Sequence, residues 1–263
     1  MFIIFLLQLF LIVGVGSGSV QKPVSQSVTP LSVDGKLKAY SLSWHDEFDG
    51  NSVNKSEWNF RTGERFWSTQ RVENVSVADG KLKLSLRKER FQGSEYTAGG
   101  LISKRGFRHG YYEARIKMPR GMGWHTSFWM MRNDDSRKLE LDACEQDSIT
   151  PSGYTTNVHT FVPVHNAFGA KRIATPDLSS DFHIWGCEFT PTTVSYYFDG
   201  RLVDTRSLEK VEPDDLNIWL TAIAAPLGKT ERVDDSALPA LAEFDYVRFF
   251  VKQDSLIKGS EKK

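Results

Sequence analysis

The sequence has little cysteine, no excess of either charge and no long hydrophobic run after its first residues. Its two cysteines, Cys144 and Cys187, are too few for a disulfide scaffold, so we expect separate buried thiols. Lys and Arg total 33, as do Asp and Glu, and this balance argues against a nucleic-acid partner. The chain also lacks a Gly-x-Ser-x-Gly elbow and a His-Glu-x-x-His helix, so a serine hydrolase or a zinc protease has little support.

The N-terminal stretch has the features of an export signal. Residues 1–15 are almost wholly apolar, and small residues follow up to Ser19. This run is shorter than the ~18–20 residues that span a bilayer, and it is typical of a cleaved signal peptide, with an uncleaved anchor as the alternative. We predict a signal peptide at 1–19, a flexible leader at 20–39, a folded domain at 40–252 and a polar tail at 253–263. The expected location is secreted, periplasmic or extracellular, without integral membrane association after cleavage.

Alternation of apolar and polar residues dominates the rest of the chain. Leu82, Leu84 and Leu86 alternate with polar residues, and residues 111–118 follow the same period. This period places one face of a strand on a core and the other in water or in a groove. Asp199-Gly200 lies between two such runs and is a strong hairpin signal. Without long amphipathic helices or internal repeats, the pattern predicts an all-β sandwich or barrel in one domain, and we expect a monomer.

Three carboxylates lie close together in the predicted strand at residues 138–145. Glu140 and Asp142 point to the same face of a regular strand, whereas Glu145, three residues further on, points to the opposite face. One inserted residue, a β-bulge, returns Glu145 to the first face, and bulges are common beside active sites. We therefore predict a bulge at Ala143-Cys144, with all three acids facing one groove. The alternative is a solvated acidic strand edge.

Carboxylates on one face repel each other, so at least one pKa must rise. Glycosidic cleavage suits this combination, because it needs one ionised carboxylate and one protonated acid. Leu139 and Leu141 would fill the core side of the same strand, which favours a functional strand over a solvated edge.

Aromatic residues that can stack on sugar rings are also present. The candidates are Trp67, Trp124 and Trp129, because an aromatic face covers the apolar surface of a sugar. Trp67 and Trp124 follow polar or glycine-rich loops and are the better candidates, whereas Trp129 lies in a dense apolar run and has a core position as its alternative. Arg65 shares the loop of Trp67 and is a candidate for contacts with substrate hydroxyls.

A set of motifs extends along most of the expected mature chain. The signature Glu-hydrophobic-Asp-x-x-Glu occurs at residues 140–145. The other runs are Trp44-His45-Asp46-Glu47-Phe48-Asp49, residues 110–117, Ser127-Phe128-Trp129-Met130, Phe182-His183-Ile184-Trp185, residues 196–200 and residues 244–248. In this order they resemble glycoside hydrolase family 16, which includes laminarinases, lichenases, agarases and carrageenases. The resemblance implies a concanavalin-like jelly roll of two curved antiparallel sheets with a substrate groove on the concave face.

The same resemblance implies a secreted, endo-acting, retaining hydrolase of β-linked polysaccharide, with residues 40–252 as the catalytic domain. Glu140 would be the nucleophile, and Glu145 the general acid and then the general base, with the raised pKa of the free enzyme. Asp142 would lie between them and tune the pair. His159 would form a hydrogen bond to this machinery or to the sugar. The alternatives on this scaffold are a lectin without turnover and a transglycosylase.

The substrate stays open at this point. His125 falls where laminarinases have a tryptophan, and this change alters the groove wall at a position predicted to contact the substrate. The candidate polymers are β-1,3- or mixed-linkage glucan and an algal β-galactan such as agar, porphyran or carrageenan. Because arginine suits oxyanions, candidate contacts for the sulfate of a galactan are Arg105, Arg108, His109, Arg132 and Arg137, with a solvated loop surface as the alternative.

The resemblance further implies a structural Ca²⁺ away from the groove, and no catalytic cofactor. The matching ligands are Glu47, the carbonyl oxygen of Gly80 and Asp245, with water completing an oxygen shell. The alternative is that Glu47 and Asp245 cap turns or pair with arginines.

Overall fold

The computed structural model describes residues 28–208 and 211–253. The predicted signal peptide at 1–19, residues 20–27 of the predicted leader and residues 254–263 of the predicted tail lie outside the described residues. Within the described ranges, no helix is long and apolar enough to cross a membrane.

The described part of the chain is built almost entirely from strands. Four short 3₁₀ helices occur at Lys36–Ala39, Val72–Asn74, Leu227–Lys229 and Asp235–Ala237. The strands are β1 (Tyr40–Asp46), β2 (Trp58–Phe60), β3 (Gly63–Arg65), β4 (Ser68–Gln70), β5 (Val75–Ala78), β6 (Lys81–Phe91), β7 (Ser94–Ala98), β8 (Gly100–Phe107), β9 (Gly110–Lys117), β10 (Trp124–Met131), β11 (Leu139–Asp147), β12 (Gly153–Thr160), β13 (Asn166–Ala167), β14 (Lys171–Ala174), β15 (His183–Phe189), β16 (Thr193–Phe198), β17 (Arg201–Ser207), β18 (Leu216–Ala224) and β19 (Ala240–Lys252).

The strands form two sheets, which confirms the predicted all-β sandwich. The larger sheet has the order β17-β16-β15-β9-β19-β6-β7-β4-β3, with β1 paired to β19 and β5 to β6. The smaller sheet has the order β13-β12-β11-β10-β18-β8-β2, with β14 paired to β12. Strand β11, which carries the three acids, therefore lies inside the smaller sheet between β10 and β12.

One apolar face of each sheet contributes to the main core. The three leucines predicted for β6 are fully buried in it, as are Leu139 and Leu141 of β11. This arrangement follows from the period-two alternation, since every second side chain of a strand projects to the same side. Cys144 and Cys187 are also fully buried there, and both are free thiols, as predicted.

The other face of the smaller sheet, here called the open face, carries polar and aromatic side chains. Glu140 and Glu145 of β11 and Trp129 of β10 are half-buried on this face. Trp129 belongs to a small apolar cluster separate from the main core, together with Met131 and Trp219. The open face is therefore the surface on which a substrate can reach the acids of β11.

Residues 28–39 pack on the larger sheet, which corrects the prediction of a flexible leader over 20–39. Leu37 is fully buried and belongs to an apolar cluster with Tyr111 of β9. The backbone N–H of Leu31 donates a 2.9 Å hydrogen bond to the buried carboxylate of Glu113. The Ser- and Pro-rich composition suggested flexibility, but one buried leucine and one charge-assisted hydrogen bond hold this segment in place.

A close approach of two strands in the larger sheet gives a test of this packing. Gly186 of β15 leaves space for the Tyr111 ring, because a Cβ atom at residue 186 would lie 1.8 Å from the Tyr111 hydroxyl oxygen. We expect Gly186→Ala to lower the free energy of unfolding by about 1–3 kcal/mol through overpacking. Denaturant unfolding measures this change.

The matched control is Gly106→Ala in β8, where the nearest atom to the added Cβ is at 3.4 Å. This variant is expected to stay within about 0.5 kcal/mol of the parent protein. Equal effects of the two alanines would contradict the packing between residue 186 and Tyr111.

Candidate active site

The predicted bulge in β11 is present. Along β10, Phe128 is opposite Cys144 while Trp129 is opposite Asp142, so Ala143 has no partner of its own. Against β12, Asp142 pairs with Asn157 and Glu145 pairs with Thr155, so β11 uses one residue more than its neighbour. Ala143 and Cys144 are both buried in the main core. Two consecutive core-facing residues return Glu145 to the open face beside Glu140 and Asp142.

Burial and mutual repulsion raise the pKa values of two of these acids. Burial, followed by the charge of Glu145, raises the pKa of Glu140 to about 7, although a hydrogen bond with Asp142 acts in the opposite direction. Burial and both glutamates raise the pKa of Asp142 well above its usual value, and Asp142 is only 2% exposed. The raised pKa predicted for Glu145 stays a prediction, and the structure adds raised pKa values at Glu140 and Asp142, caused first by burial.

His125 lies beside the third acid. It is opposite Asp147 in the β10–β11 register, and its Nδ1 is 2.8 Å from the Asp147 carboxylate. Its Nε2 is 3.6 Å from the Glu145 carboxylate. Burial disfavours the imidazolium, but the two carboxylates outweigh this effect and raise the pKa of His125 to about 9. His125 is therefore a buried cation at neutral pH, in contact with Glu145.

His159 of β12 lies on the other side of β11, near Asp142. Its Nε2 is 3.5 Å from the Asp142 carboxylate and 2.9 Å from the side-chain nitrogen of Asn157. Its Nδ1 is 3.1 Å from Nε2 of His165, and the two imidazole rings stack. Burial lowers the pKa of His159, which favours the neutral ring. The position suits the predicted hydrogen bond to the acidic pair, and the role itself stays a prediction.

Glu140, Asp142 and His159 also form a group whose ligand atoms are close enough together to hold a metal ion. Ligand atoms of Glu140, Asp142 and His159 lie within 4.8 Å of one another. The pKa values of both carboxylates are raised, so the pair does not need a cation to balance two negative charges. Glycosidic cleavage also requires neighbouring carboxyl groups, which accounts for their proximity without a metal. We therefore assign no metal to this set.

The accessibility of the three candidate tryptophans differs from the prediction. Trp129 is half-buried on the open face, its indole N–H donates to the Thr221 hydroxyl at 3.0 Å, and its ring stacks on Trp219 at 4.5 Å. Trp67 is partly buried against the main core, and Arg65 beside it is exposed. Trp129 is thus partly accessible on the open face and not in the main core, which was its alternative position.

Trp124 is a correction. Its ring is 1% exposed, lies in the main core and meets Tyr96 edge-on, so neither of its faces is available to a sugar. The reason is strand parity, because Trp124 lies five residues before Trp129 and an odd spacing in a regular strand reverses the face. His125, four residues before Trp129, shares the open face.

Arg61 and Trp219 are open-face residues that the sequence reading missed. The Arg61 guanidinium lies 5.6 Å from the Trp129 ring centroid and 5.3 Å from that of Trp219. Burial lowers the pKa of Arg61 to about 10, and the charge of Glu140 acts against this shift. No described carboxylate lies within ion-pairing distance of the guanidinium. Nothing local marks Arg61 in the sequence, since its neighbours come from strands far along the chain.

Most of the arginines predicted to contact sulfate have carboxylate partners already. Arg108 pairs with Asp215 at 2.7 Å, and Arg137 pairs with Asp135 at 2.9 Å. Arg132 contacts two aspartates. These pairs agree with the alternative interpretation, a solvated loop surface. Arg105 and His109 lie against the aromatic rings of Phe107 and Phe189, respectively.

Two of the three predicted calcium ligands, Glu47 and Asp245, are engaged by arginines in this structure. Both carboxylate oxygens of Glu47 accept 2.8 Å hydrogen bonds from Arg248. The Asp245 carboxylate accepts a 2.6 Å hydrogen bond from Arg115. This arrangement does not fit a metal site, so we derive no step from calcium. The two arginines are the groups that an ion would have to displace.

Calcium binding stays a prediction that one measurement checks. An ion that binds only the folded state stabilises that state by an amount that rises with the logarithm of the ion concentration above Kd. The prediction requires that added Ca²⁺ raise the melting temperature and that EDTA reverse the rise. An unchanged melting temperature would favour pairing of Glu47 and Asp245 with arginine as their complete role.

Comparison with known proteins places this site in a family. The family model described as beta-porphyranase A-D, GH16 domain, matches residues 39–225. The beta-glucanase of Rhodothermus marinus is 28% identical over 248 residues, which cover 82% of this chain and 86% of that protein. Beta-porphyranase E of Zobellia galactanivorans is 26% identical over 186 residues, covering 60% of this chain and 66% of that protein. The endo-beta-1,3-glucanase structure from Pyrococcus furiosus has a TM-score of 0.73 and 25% identity, covering 86% of this chain and 98% of that chain.

The matched region includes the whole of β11 and its neighbours β10 and β12, and the shared architecture confirms the predicted jelly roll. The relatives named for an activity are hydrolases of β-linked glycans, as the acids on the open face suggest. The chain therefore belongs to glycoside hydrolase family 16, and it is an endo-acting hydrolase of β-linked glycans.

Proposed function

We propose that this enzyme is exported and cleaves a sulfated β-galactan, with porphyran as the first candidate, by a retaining mechanism. The observation that carries the substrate is Arg61, a half-buried cation on the open face that lies over Trp129 and Trp219, with no carboxylate of the described residues within ion-pairing distance. A partly desolvated charge without a counter-charge is costly, and a sulfate group of the substrate would supply that counter-charge. The match to the porphyranase family model supports the same class.

Export is supported by the apolar run and the small residues of 1–19, which lie outside the described residues. A neutral β-glucan remains the second candidate substrate, because a beta-glucanase is 28% identical to this chain. The charge beside the tryptophan pair favours the galactan, since a neutral glucan offers Arg61 hydrogen-bond acceptors but no counter-charge.

The proposed mechanism assigns one role to each acid of β11. The Glu140 carboxylate attacks the anomeric carbon and forms a glycosyl-enzyme ester, while Glu145 protonates the departing glycosidic oxygen. Water then attacks the ester, and Glu145 accepts its proton. Asp142, whose pKa is raised, is protonated between them and donates a hydrogen bond to Glu140. That bond lowers the pKa of Glu140, and so it favours the ionised nucleophile and the leaving carboxylate.

A reducing-end assay on a panel of polymers tests the activity and the substrate together. The panel contains porphyran, the same porphyran after desulfation, agarose, carrageenan, laminarin and mixed-linkage glucan. We expect hydrolysis of porphyran that Glu140→Ser abolishes. We also expect Arg61→Gln to lower kcat/KM on porphyran by roughly 10-fold or more, the effect of one charge-assisted hydrogen bond, with a smaller change on the desulfated polymer.

The matched control is Arg71→Gln, because the Arg71 guanidinium also lies over an aromatic ring, that of Phe91, at 4.0 Å. This variant should leave kcat/KM unchanged. Equal losses in Arg61→Gln on both forms of porphyran would contradict sulfate recognition by Arg61. Activity that survives Glu140→Ser would contradict the nucleophile. Binding without turnover would indicate a lectin, and longer products in place of new reducing ends would indicate a transglycosylase.

The raised pKa of Glu140 predicts the acid side of the pH profile. The nucleophile must be ionised, and kcat/KM reports the free enzyme, so kcat/KM should fall as the pH drops below about 7. Arg137 lowers the pKa of Glu140, so Arg137→Gln should move this acid limb to higher pH. The profile of Arg71→Gln should match that of the parent enzyme. If Arg137→Gln leaves the acid limb of kcat/KM unchanged, a group other than Glu140 is responsible for that limb.

A further inference from the structure

His125, Asp147 and Glu145 form a connected line of charged groups on the open face. The imidazole is 9% exposed and bridges the two carboxylates, with Nδ1 at 2.8 Å from Asp147 and Nε2 at 3.6 Å from Glu145. Because the Nδ1–H donates to Asp147, the orientation of the ring is fixed and Nε2 is directed at Glu145. This geometry is that of a proton donor held by one carboxylate and aimed at another.

The groups around His125 leave it no other proton partner among those described. Its neighbour on β18 is the apolar Ile223, and the charged side chains that act on it are Asp147 and Glu145, both of β11. The turn at Leu227–Lys229 packs on Asp147, since a Cβ at Gly228 would lie 2.7 Å from the Asp147 Cβ. Lys229 of this turn is exposed. Apart from Asp147, Glu145 is therefore the charged group of the described residues that acts on His125, at 3.6 Å from Nε2.

We propose that His125 is a positioning residue that stores the proton which Glu145 delivers to the leaving group, and that Asp147 holds the imidazole in place for this transfer. The inference rests on the proposed function, in which Glu145 is the general acid. It adds the source of the proton, which the three acids of β11 do not explain by themselves.

His125 and Glu145 together hold one proton both before and after the transfer. In the free enzyme, the pair is an imidazolium and a carboxylate. When the Nε2–H bond of His125 breaks, an O–H bond forms at Glu145, and both side chains become neutral. Glu145 then protonates the glycosidic oxygen as the bond to the anomeric carbon breaks. In the second step, the proton that Glu145 takes from water returns to Nε2.

Substrate binding provides the driving force for this transfer. A polysaccharide on the open face removes water from the pair, and loss of water disfavours two separated charges relative to two neutral groups. The Nε2–Oε1 distance of 3.6 Å must shorten for the transfer, and catalytic hydrogen bonds are often long before substrate binds. The acid is thus charged in the open groove and neutral under the substrate.

His125→Gln tests the proposal, because it keeps a polar side chain but cannot carry the proton. We expect kcat on the polymer to fall by roughly 10²-fold, within the range of general acid catalysis, and the basic limb of kcat/KM to move to lower pH. A 2,4-dinitrophenyl β-glycoside of the released oligosaccharide serves as the second substrate, because its dinitrophenolate leaving group needs no proton. On this substrate the rate of glycosylation should change by less than about 3-fold. Equal losses on both substrates, or an unmoved basic limb, would overturn the proposal and indicate a purely structural histidine.

The matched control is His183→Gln, in which a histidine of the larger sheet loses a comparable contact with Asp199 at 2.8 Å. It should not change the basic limb or the ratio of the two rates. This control separates the loss of a histidine–aspartate pair from the loss of the pair beside Glu145.

A titration of His125 by ¹⁵N NMR tests the shared proton without any turnover. In the parent enzyme His125 should titrate near pH 9, and Glu145→Gln should lower this value because one of the two stabilising carboxylates is lost. An unchanged titration in Glu145→Gln would overturn the proton sharing. An enzyme inactive on every polymer would contradict the proposed function alone, since the NMR result does not depend on it.

Discussion

The constraint on which this site depends is the confinement of three carboxylates to one partly desolvated face of a single strand. A regular strand would place Glu145 on the side of the core, where an ionised carboxylate is costly. The unpaired Ala143 turns it back to the face of Glu140 and Asp142. Once together, the acids cannot all be ionised. The one extra residue of the bulge therefore brings the three acids together, and their protonation states must differ as a result.

The two neighbouring strands treat these acids differently. On the β10 side, Nε2 of His125 lies 3.6 Å from Glu145, and the carboxylates of Asp147 and Glu145 raise the pKa of this histidine. On the β12 side, His159, whose pKa is lowered by burial, lies 3.5 Å from Asp142, whose own pKa is raised by burial and by the two glutamates. A cation beside one acid and a neutral ring beside the other produce an asymmetric pair. Glu145 and Asp142 therefore lie in different electrostatic surroundings, although only two residues separate them along the strand.

Much of the fold was predictable, because alternation is a local property of the sequence. The leucines of β6 and the acids of β11 show which side chains share a face, and the bulge followed from the odd spacing before Glu145. The same parity rule would have placed Trp124 in the core, had it been applied along β10. The glycines next to Trp124 suggested an exposed loop position, but the spacing to Trp129 determines the face on which Trp124 lies.

Features that depend on distant strands were not predictable in this way. Arg61 acquires its role from Trp129 and Trp219, which lie in β10 and β18, and no local pattern links the three residues. The pKa of Glu140 likewise depends on burial by the assembled sheet. The packing of residues 28–39 rests on Leu37, a single apolar residue in a polar segment. In each case the decisive quantity is a tertiary distance or a buried area.

Recognition and chemistry are separated within the smaller sheet. The acids are fixed by the backbone of β11, whereas the cation and the stacked indoles come from the segment after β2 and from β10 and β18. Under the proposed function, a substitution at Arg61 or Trp219 would change what the open face binds without moving the bulge. Under the proposed function, side chains on the neighbouring strands select the sugar and the acids of β11 carry out the reaction.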